Sequence, residues 1–358
     1  LGAIFALFLQ RSGKTGLSTV ARSNYDVVRN QGMLIPPSTV GEGGVNEGGV
    51  VKFEHVFRAL SSSTTPEAPA PMPEFSYILV ATKALTFAKP SLVESLEPYV
   101  TPGKSTIVLI QNGIGIEDAL QARWPDNLII TCVSYIGGEQ KSPGVVIHQG
   151  GTLLTAGPFR GGNLDSPVHS PANERERLDR IAEMLRDGGC NVETLHDPVE
   201  MQVNRWRKLA WNVAWNGLTG LTNLDTDAFF ASSPYAAPLA VSLMDEITLV
   251  ARAKGYEIDP LAPECPLPAD EKAKLAEKMG LSKRLGQTFY ETMVKRGPTT
   301  SSMRADVNAG RVLEAEVIYG QPLKYAKELG IRIPMTETVA VLVSAVDARN
   351  DGRVKAVA

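Results

Sequence analysis

Lys208, Asn212 and Asn216 stand four residues apart in the run WRKLAWNVAWN (206–216), which also holds three of the chain's four tryptophans. On a helix, positions i, i+4 and i+8 follow one slowly drifting stripe, so an ammonium and two amides project together. Trp206, Leu209, Ala210 and Val213 are left to pack the other faces. The stripe has two readings: a solvated polar face, or hydrogen-bonding groups held in a cleft. Asparagine is a poor helix former, and a surface stripe would more naturally carry Glu, Lys and Gln. Two mid-helix asparagines beside an ammonium favour the cleft, where they would bind a polar ligand.

Other candidates lie at the ends of apolar segments. Arg22 closes the segment LSTVAR (17–22). In dinucleotide-binding α/β folds the end of the second strand faces the adenosine ribose. An acidic residue there suits NAD, and an arginine accommodates the 2′-phosphate of NADP. A solvated surface arginine is the alternative. Lys83 ends YILVATK (77–83) and Asn112-Gly113 ends STIVLIQNG (105–113), both at the carboxyl edge where such sheets bind ligands. Asn-Gly is equally a turn former. Gly2 precedes a helix, the position that takes a pyrophosphate, although a lone glycine is a weak signal. Ser301 and Ser302 could cap the helix that begins near Met303. Glu314 reads either as an exposed helix carboxylate or as part of a site.

The elements that must position these residues fall into two groups. Residues 3–11 read as an apolar helix stopped near Gly13 and Gly16, and 17–22 as a β-branched strand. Apolar strands at 77–83, 105–113 and 127–138 alternate with helices and predict a parallel sheet covered on both faces. Residues 151–159, the charged helix 172–189 and 191–197 extend this half. The stretches 36–50 and 61–73 are rich in Gly, Ser and Pro and read as loops. From residue 199 the strands stop. Helical spacing covers 200–224, 236–256, 268–295 and 313–329, with Gly330 as a C-cap, and one more helix at 334–346. The fold class is therefore α/β: a Rossmann-like domain over residues 1–198, then an all-helical domain over 199–358.

Bulk properties exclude several classes. At 358 residues the chain is long enough for two domains, and 43% hydrophobic with 21% charged residues is a globular balance. A net charge of −3 offers no footprint for nucleic acid or an acidic membrane. Three cysteines without a CxxC pair and four histidines without an HExxH spacing give no disulfide scaffold and no metal cluster. No stretch reaches a membrane span. The opening LGAIFALFL lacks the basic start of a signal peptide, so a cytoplasmic protein is expected, with mitochondrial targeting left open.

Taken together, VARSN, LVATK, VLIQNG, WRKLAWNVAWNGLTGLTN and SSMRADVNAGRVLEAE with YAKELGIRIP resemble the ketopantoate reductase (2-dehydropantoate 2-reductase) family. The match covers both domains in the family's order, and its two loop inserts look like those of eukaryotic members. The resemblance implies NADPH-dependent reduction of a 2-oxo acid on the way to pantothenate, in a protein compatible with a homodimer. It implies that Lys208 is the general acid that protonates the oxygen at C2. Asn112 would sit between the nicotinamide and the substrate. Asn212 and Asn216 would bind substrate, Ser302 its carboxylate, and Glu314 its terminal hydroxyl. Gly2, Arg22 and Lys83 would contact the cofactor, with Asn112 at its nicotinamide end. Apolar neighbours would make such a lysine a better acid near neutral pH.

Two features depart from the family pattern. Its GxGxxG turn follows a strand, and here Gly2 matches only the third glycine, so a first strand is expected to be missing and the N-terminus truncated. Arg304 stands where the family commonly has an apolar residue. The alternative from another class is a non-catalytic dinucleotide-binding remnant or a catalytically impaired paralogue.

Overall fold

The computed structural model describes residues 1–37, 47–59, 72–160, 169–258 and 300–354. It divides into two compact units. The first comprises Leu1–Gln111 and Ile116–Met201; the second comprises Asn112–Gly115 and Gln202–Ala358.

The first unit opens with helix α1 (Gly2–Ser12), stopped by Gly13 in the left-handed conformation at φ +64. Ile4, Phe5, Leu7 and Phe8 are at most 1% exposed, which is why the sequence GAIFALFLQRS is apolar on nearly every face. Strand β1 (Ser18–Ala21), helix α2 (Tyr25–Gln31), β2 (Met33–Ile35), β3 (Gly49–Val51), β4 (His55–Arg58) and β5 (Tyr77–Val80) follow. Next come α3 (Leu92–Leu96), β6 (Thr106–Leu109), α4 (Glu117–Arg123), β7 (Ile129–Ser142), β8 (Val145–Phe159), α5 (Pro171–Asp187) and β9 (Asn191–Thr194).

The main sheet has seven strands in the order β3-β2-β8-β7-β6-β5, with β9 beside β8. Strands β5, β6 and β7 run parallel, and all four residues of β6 are buried, as expected of a strand covered on both faces. The parallel run expected from these three strands is observed, and the hairpin partner of β7 makes the sheet as a whole mixed. Strands β7 and β8 form a long antiparallel hairpin. Only Pro143 and Gly144 separate them, Gly144 at φ +76. A parallel crossover needs a dozen residues or more, whereas two suffice for a hairpin. The Gly-rich stretch at 36–50 is also not all loop, because Gly49 and Val50 belong to β3, antiparallel to β2.

Strands β1 and β4 pair in parallel as a separate two-stranded sheet. A doubly wound sheet runs in the order 3-2-1-4-5, with the first strand between the second and the fourth. If β4 and β1 take places three and two and β5 takes place four, no described strand occupies the first place.

The second unit is helical. Its described helices are α6 (Pro198–Thr222), whose first turn belongs to the first unit, α7 (Thr226–Ser232), α8 (Ala236–Ala253), α9 (Ser302–Asn308), α10 (Gln321–Glu328) and α11 (Pro334–Asn350). A π-helical turn, Glu316–Gly320, leads into α10. The helix expected over 313–329 is observed from residue 315 onward, its first turn π-wound with i→i+5 bonding before the regular α10. Helix α11 starts at Pro334, where the missing N–H costs nothing. The next two amides, of Met335 and Thr336, donate to the Glu246 carboxylate of α8 at 3.0 and 2.7 Å. The helix expected at 268–295, Cys265 and most of the 61–73 insert lie outside the described residues.

Candidate active site

Helix α6 carries the polar stripe. Trp206, Leu209, Ala210 and Val213 are at most 1% exposed, and Trp206 faces the rings of Tyr256 and Tyr325. Those residues anchor the helix, and Lys208 is half-buried on the face that remains. Asn212 and Asn216 are each 4% exposed, so the two amides do not form a solvated face. The Asn212 side-chain nitrogen is buried without a hydrogen-bond partner. A buried donor left unmatched is costly, and such groups call for an acceptor. An amide waiting for a polar ligand is the reading this supports.

The turn after β6 brings a second pair to the same unit. The Asn112 amide donates to Glu314 Oε2 at 3.4 Å, joining residues 202 positions apart. Two hydrogen bonds seat this turn. The Ile114 N–H donates to the Val317 carbonyl at 3.2 Å, and Arg205 Nη2 donates to the Gly113 carbonyl at 3.2 Å. Gly113 lies at φ +90, and a Cβ there would come within 2.6 Å of Val317. The glycine of the Asn-Gly pair is required both for its backbone angle and for that close approach.

Glu314 is fixed from its other side. The preceding Leu313 N–H donates to Asp347 Oδ1 of α11 at 2.7 Å, and Arg353 donates to Asp347 Oδ2 at 2.6 Å. Asn350 donates to the Arg311 carbonyl at 2.9 Å. Of the two serines, Ser301 is the cap: its hydroxyl accepts from the Arg304 N–H at 3.1 Å and lies 2.7 Å from Thr219 Oγ1. Ser302 stands exposed at the first helical position. Arg304 acts structurally. Its guanidinium donates to Asn223 Oδ1 at 3.2 Å and to Thr300 Oγ1 at 3.3 Å. Asn223 sits at φ +57 just beyond α6, so Arg304 ties the end of the stripe helix to the start of α9.

The remaining candidates belong to the first unit. Arg22 follows β1 and is exposed, as is Lys83 three residues beyond β5. A Cβ on Gly2 would lie 3.7 Å from the Ala81 side chain, which puts the start of α1 beside the carboxyl end of β5. No described group of three or more His, Cys, Asp or Glu residues is placed to hold a metal. No described helix is long and apolar enough to cross a membrane. Cys132 and Cys190 are buried free thiols, and burial pushes the Cys190 pKa up to about 12, so it is inert as a nucleophile.

Arg205 and Asp347 escape sequence reasoning. Each acts through a contact distant in sequence, and neither has a spacing that marks it.

The architecture is that of a dinucleotide-binding α/β oxidoreductase with a helical second part. It matches the crystal structure of 2-dehydropantoate 2-reductase from Methylococcus capsulatus with a TM-score of 0.74 at 25% identity, covering 98% of this chain and 94% of that one. It also shares its fold with D-mandelate dehydrogenase in complex with NADH and anilino(oxo)acetate, at a TM-score of 0.71 and 18% identity, covering 98% and 96%. Residues 1–161 match the family model "Ketopantoate reductase PanE/ApbA", and residues 200–347 match its C-terminal counterpart. The chain belongs to the ketopantoate reductase family. A 2-dehydropantoate 2-reductase of Nostoc is 25% identical over 350 residues, 98% of this chain and 93% of that protein.

Proposed function

We propose that this protein reduces ketopantoate, or a closely related branched 2-oxo acid, to the 2-hydroxy acid with NADPH. The observation that carries the reading is the buried Asn212 amide without a partner, on the same helix as Lys208 and Asn216, in a chain of this family. When bound, the nicotinamide supplies a hydride to C2. Negative charge then develops on the C2 oxygen, and the Lys208 ammonium both stabilises that charge and delivers the proton that completes the alcohol. Asn212 and Asn216 orient the acid without adding a competing charge, and Ser302 binds its carboxylate. Glu314 accepts from the terminal hydroxyl, and its bond to Asn112 aligns the substrate with the nicotinamide end of the cofactor.

The first 198 residues bind the cofactor in this account and residues 199–358 the substrate, with the helical part also suited to forming a homodimer. Arg22 and Lys83 fit the adenosine phosphate end, both exposed beyond strands β1 and β5. The start of α1, beside the end of β5, offers helix N-terminal amides to a phosphate. One observation favours a second reading, a non-catalytic relative: β1 and β4 stand apart from the main sheet, so the strand that would support the pyrophosphate turn is not among the described ones.

Product analysis with NADPH deuterated at both C4 positions separates the two readings. Reduction predicts pantoate carrying one deuterium at C2. Absence of pantoate, or pantoate without the label, rules out ketopantoate as the substrate, and absence of a labelled 2-hydroxy acid from related branched 2-oxo acids as well rules out the reductase reading.

A further inference from the structure

The hydroxyl of Tyr319 reaches the backbone of α6. It donates to the Val213 carbonyl at 2.7 Å, the same carbonyl that accepts from the Gly217 N–H in a regular α-helix. The approach depends on Gly217 having no side chain, because a Cβ there would collide with the Tyr319 hydroxyl. Tyr319 is 1% exposed, and burial raises its pKa, so the phenol stays a neutral donor.

The place of the contact is informative. Val213 and Gly217 each follow one of the two asparagines of the stripe, so the hydroxyl meets α6 on the turn that separates Asn212 from Asn216. The ring comes from the π turn Glu316–Gly320, which begins two residues after Glu314. The Glu314 carbonyl accepts from the Ile318 N–H at 3.2 Å. One short segment therefore carries both Glu314 and the group that meets α6 between the two amides, and single π turns are frequent at functional sites.

We infer that Tyr319 is a positioning residue for the 2-oxo acid: by hydrogen-bonding the backbone of α6 between them, it fixes the placement of Asn212 and Asn216 and couples it to Glu314. The inference rests on the reductase reading above. Tyr319→Phe is the direct test, because it removes one oxygen while keeping the ring. The Val213 carbonyl lies inside α6, where the Gly217 N–H is its regular helical donor, so losing the hydroxyl leaves no buried orphan and keeps the fold.

The expected result is a rise of about tenfold in KM for ketopantoate, the worth of one hydrogen bond to a charged ligand. The fall in kcat should be smaller, and KM for NADPH unchanged. Gly217→Ala, which keeps the hydroxyl but denies it its seat, should give the same split. An unchanged KM for ketopantoate in Tyr319→Phe, or an equal rise for both substrates, overturns the inference. Quenching of Trp211 and Trp215 by ketopantoate reads binding without turnover. A native chain that binds but does not reduce would end the reductase reading alone, and a weakened quench in Tyr319→Phe would still support the positioning role. A native chain with no saturable quench would remove both.

Discussion

Asn212 keeps its amide at 4% exposure, one helical turn beyond a half-buried lysine and one turn before a second buried amide. Removing the ammonium from that row is the sharpest test at the scale of single residues. Lys208→Ala should lower kcat by about two to four orders of magnitude, the usual worth of a positioned general acid, with a smaller effect on NADPH binding. Steady-state rates at saturating NADPH check this, and an unchanged kcat would assign the proton to another group. The stripe is legible in the sequence because asparagine in a helix runs against propensity, and its fourfold spacing is local. Glu314 is legible only through its motif, since nothing within the chain's local spacing links it to Asn112, 202 positions away. Tyr319 and Arg205 are not legible at all, because their roles lie in which backbone atom they touch.

Among the elements, the segment before Glu314 has no regular structure of its own and borrows its position from α11. The Leu313 N–H is held by Asp347 at 2.7 Å, and Asp347 is 5% exposed. Asp347→Ala would leave that buried donor unmatched, at a cost of about 1–3 kcal/mol. The expected outcome is a lower midpoint in thermal or urea melting, together with a raised KM for ketopantoate. Asp347→Asn keeps an acceptor oxygen and should recover most of both. Equal effects from the two substitutions would show that the carboxylate charge, rather than the bond to Leu313, fixes this segment. Helices α5, α6, α8 and α11 are legible because each is long and periodic. The direction of the β7–β8 pair is not legible in the strand pattern of the sequence. Its two-residue Pro143–Gly144 connection carries the direction. The π turn is hidden for a related reason: one widened turn inside a helical stretch leaves the average periodicity almost unchanged.

For the whole molecule, alternating apolar strands and helices followed by helices alone predict an α/β half and a helical half, and the family match spans both. The division of the sheet is the feature with most bearing on function. Strand β1, paired with β4, leads into Arg22, whereas β5 leads towards Lys83, and no described strand joins the two sheets. A cofactor held at both places has to be gripped across that break. The most direct measurement is the loss of NADPH absorbance when the purified 358-residue chain meets ketopantoate. It should be run beside a variant with a β-branched strand and a Gly-rich turn added ahead of Leu1. The account predicts that NADPH is consumed in proportion to ketopantoate, with a lower KM for NADPH in the variant. Absence of consumption in both samples would contradict it.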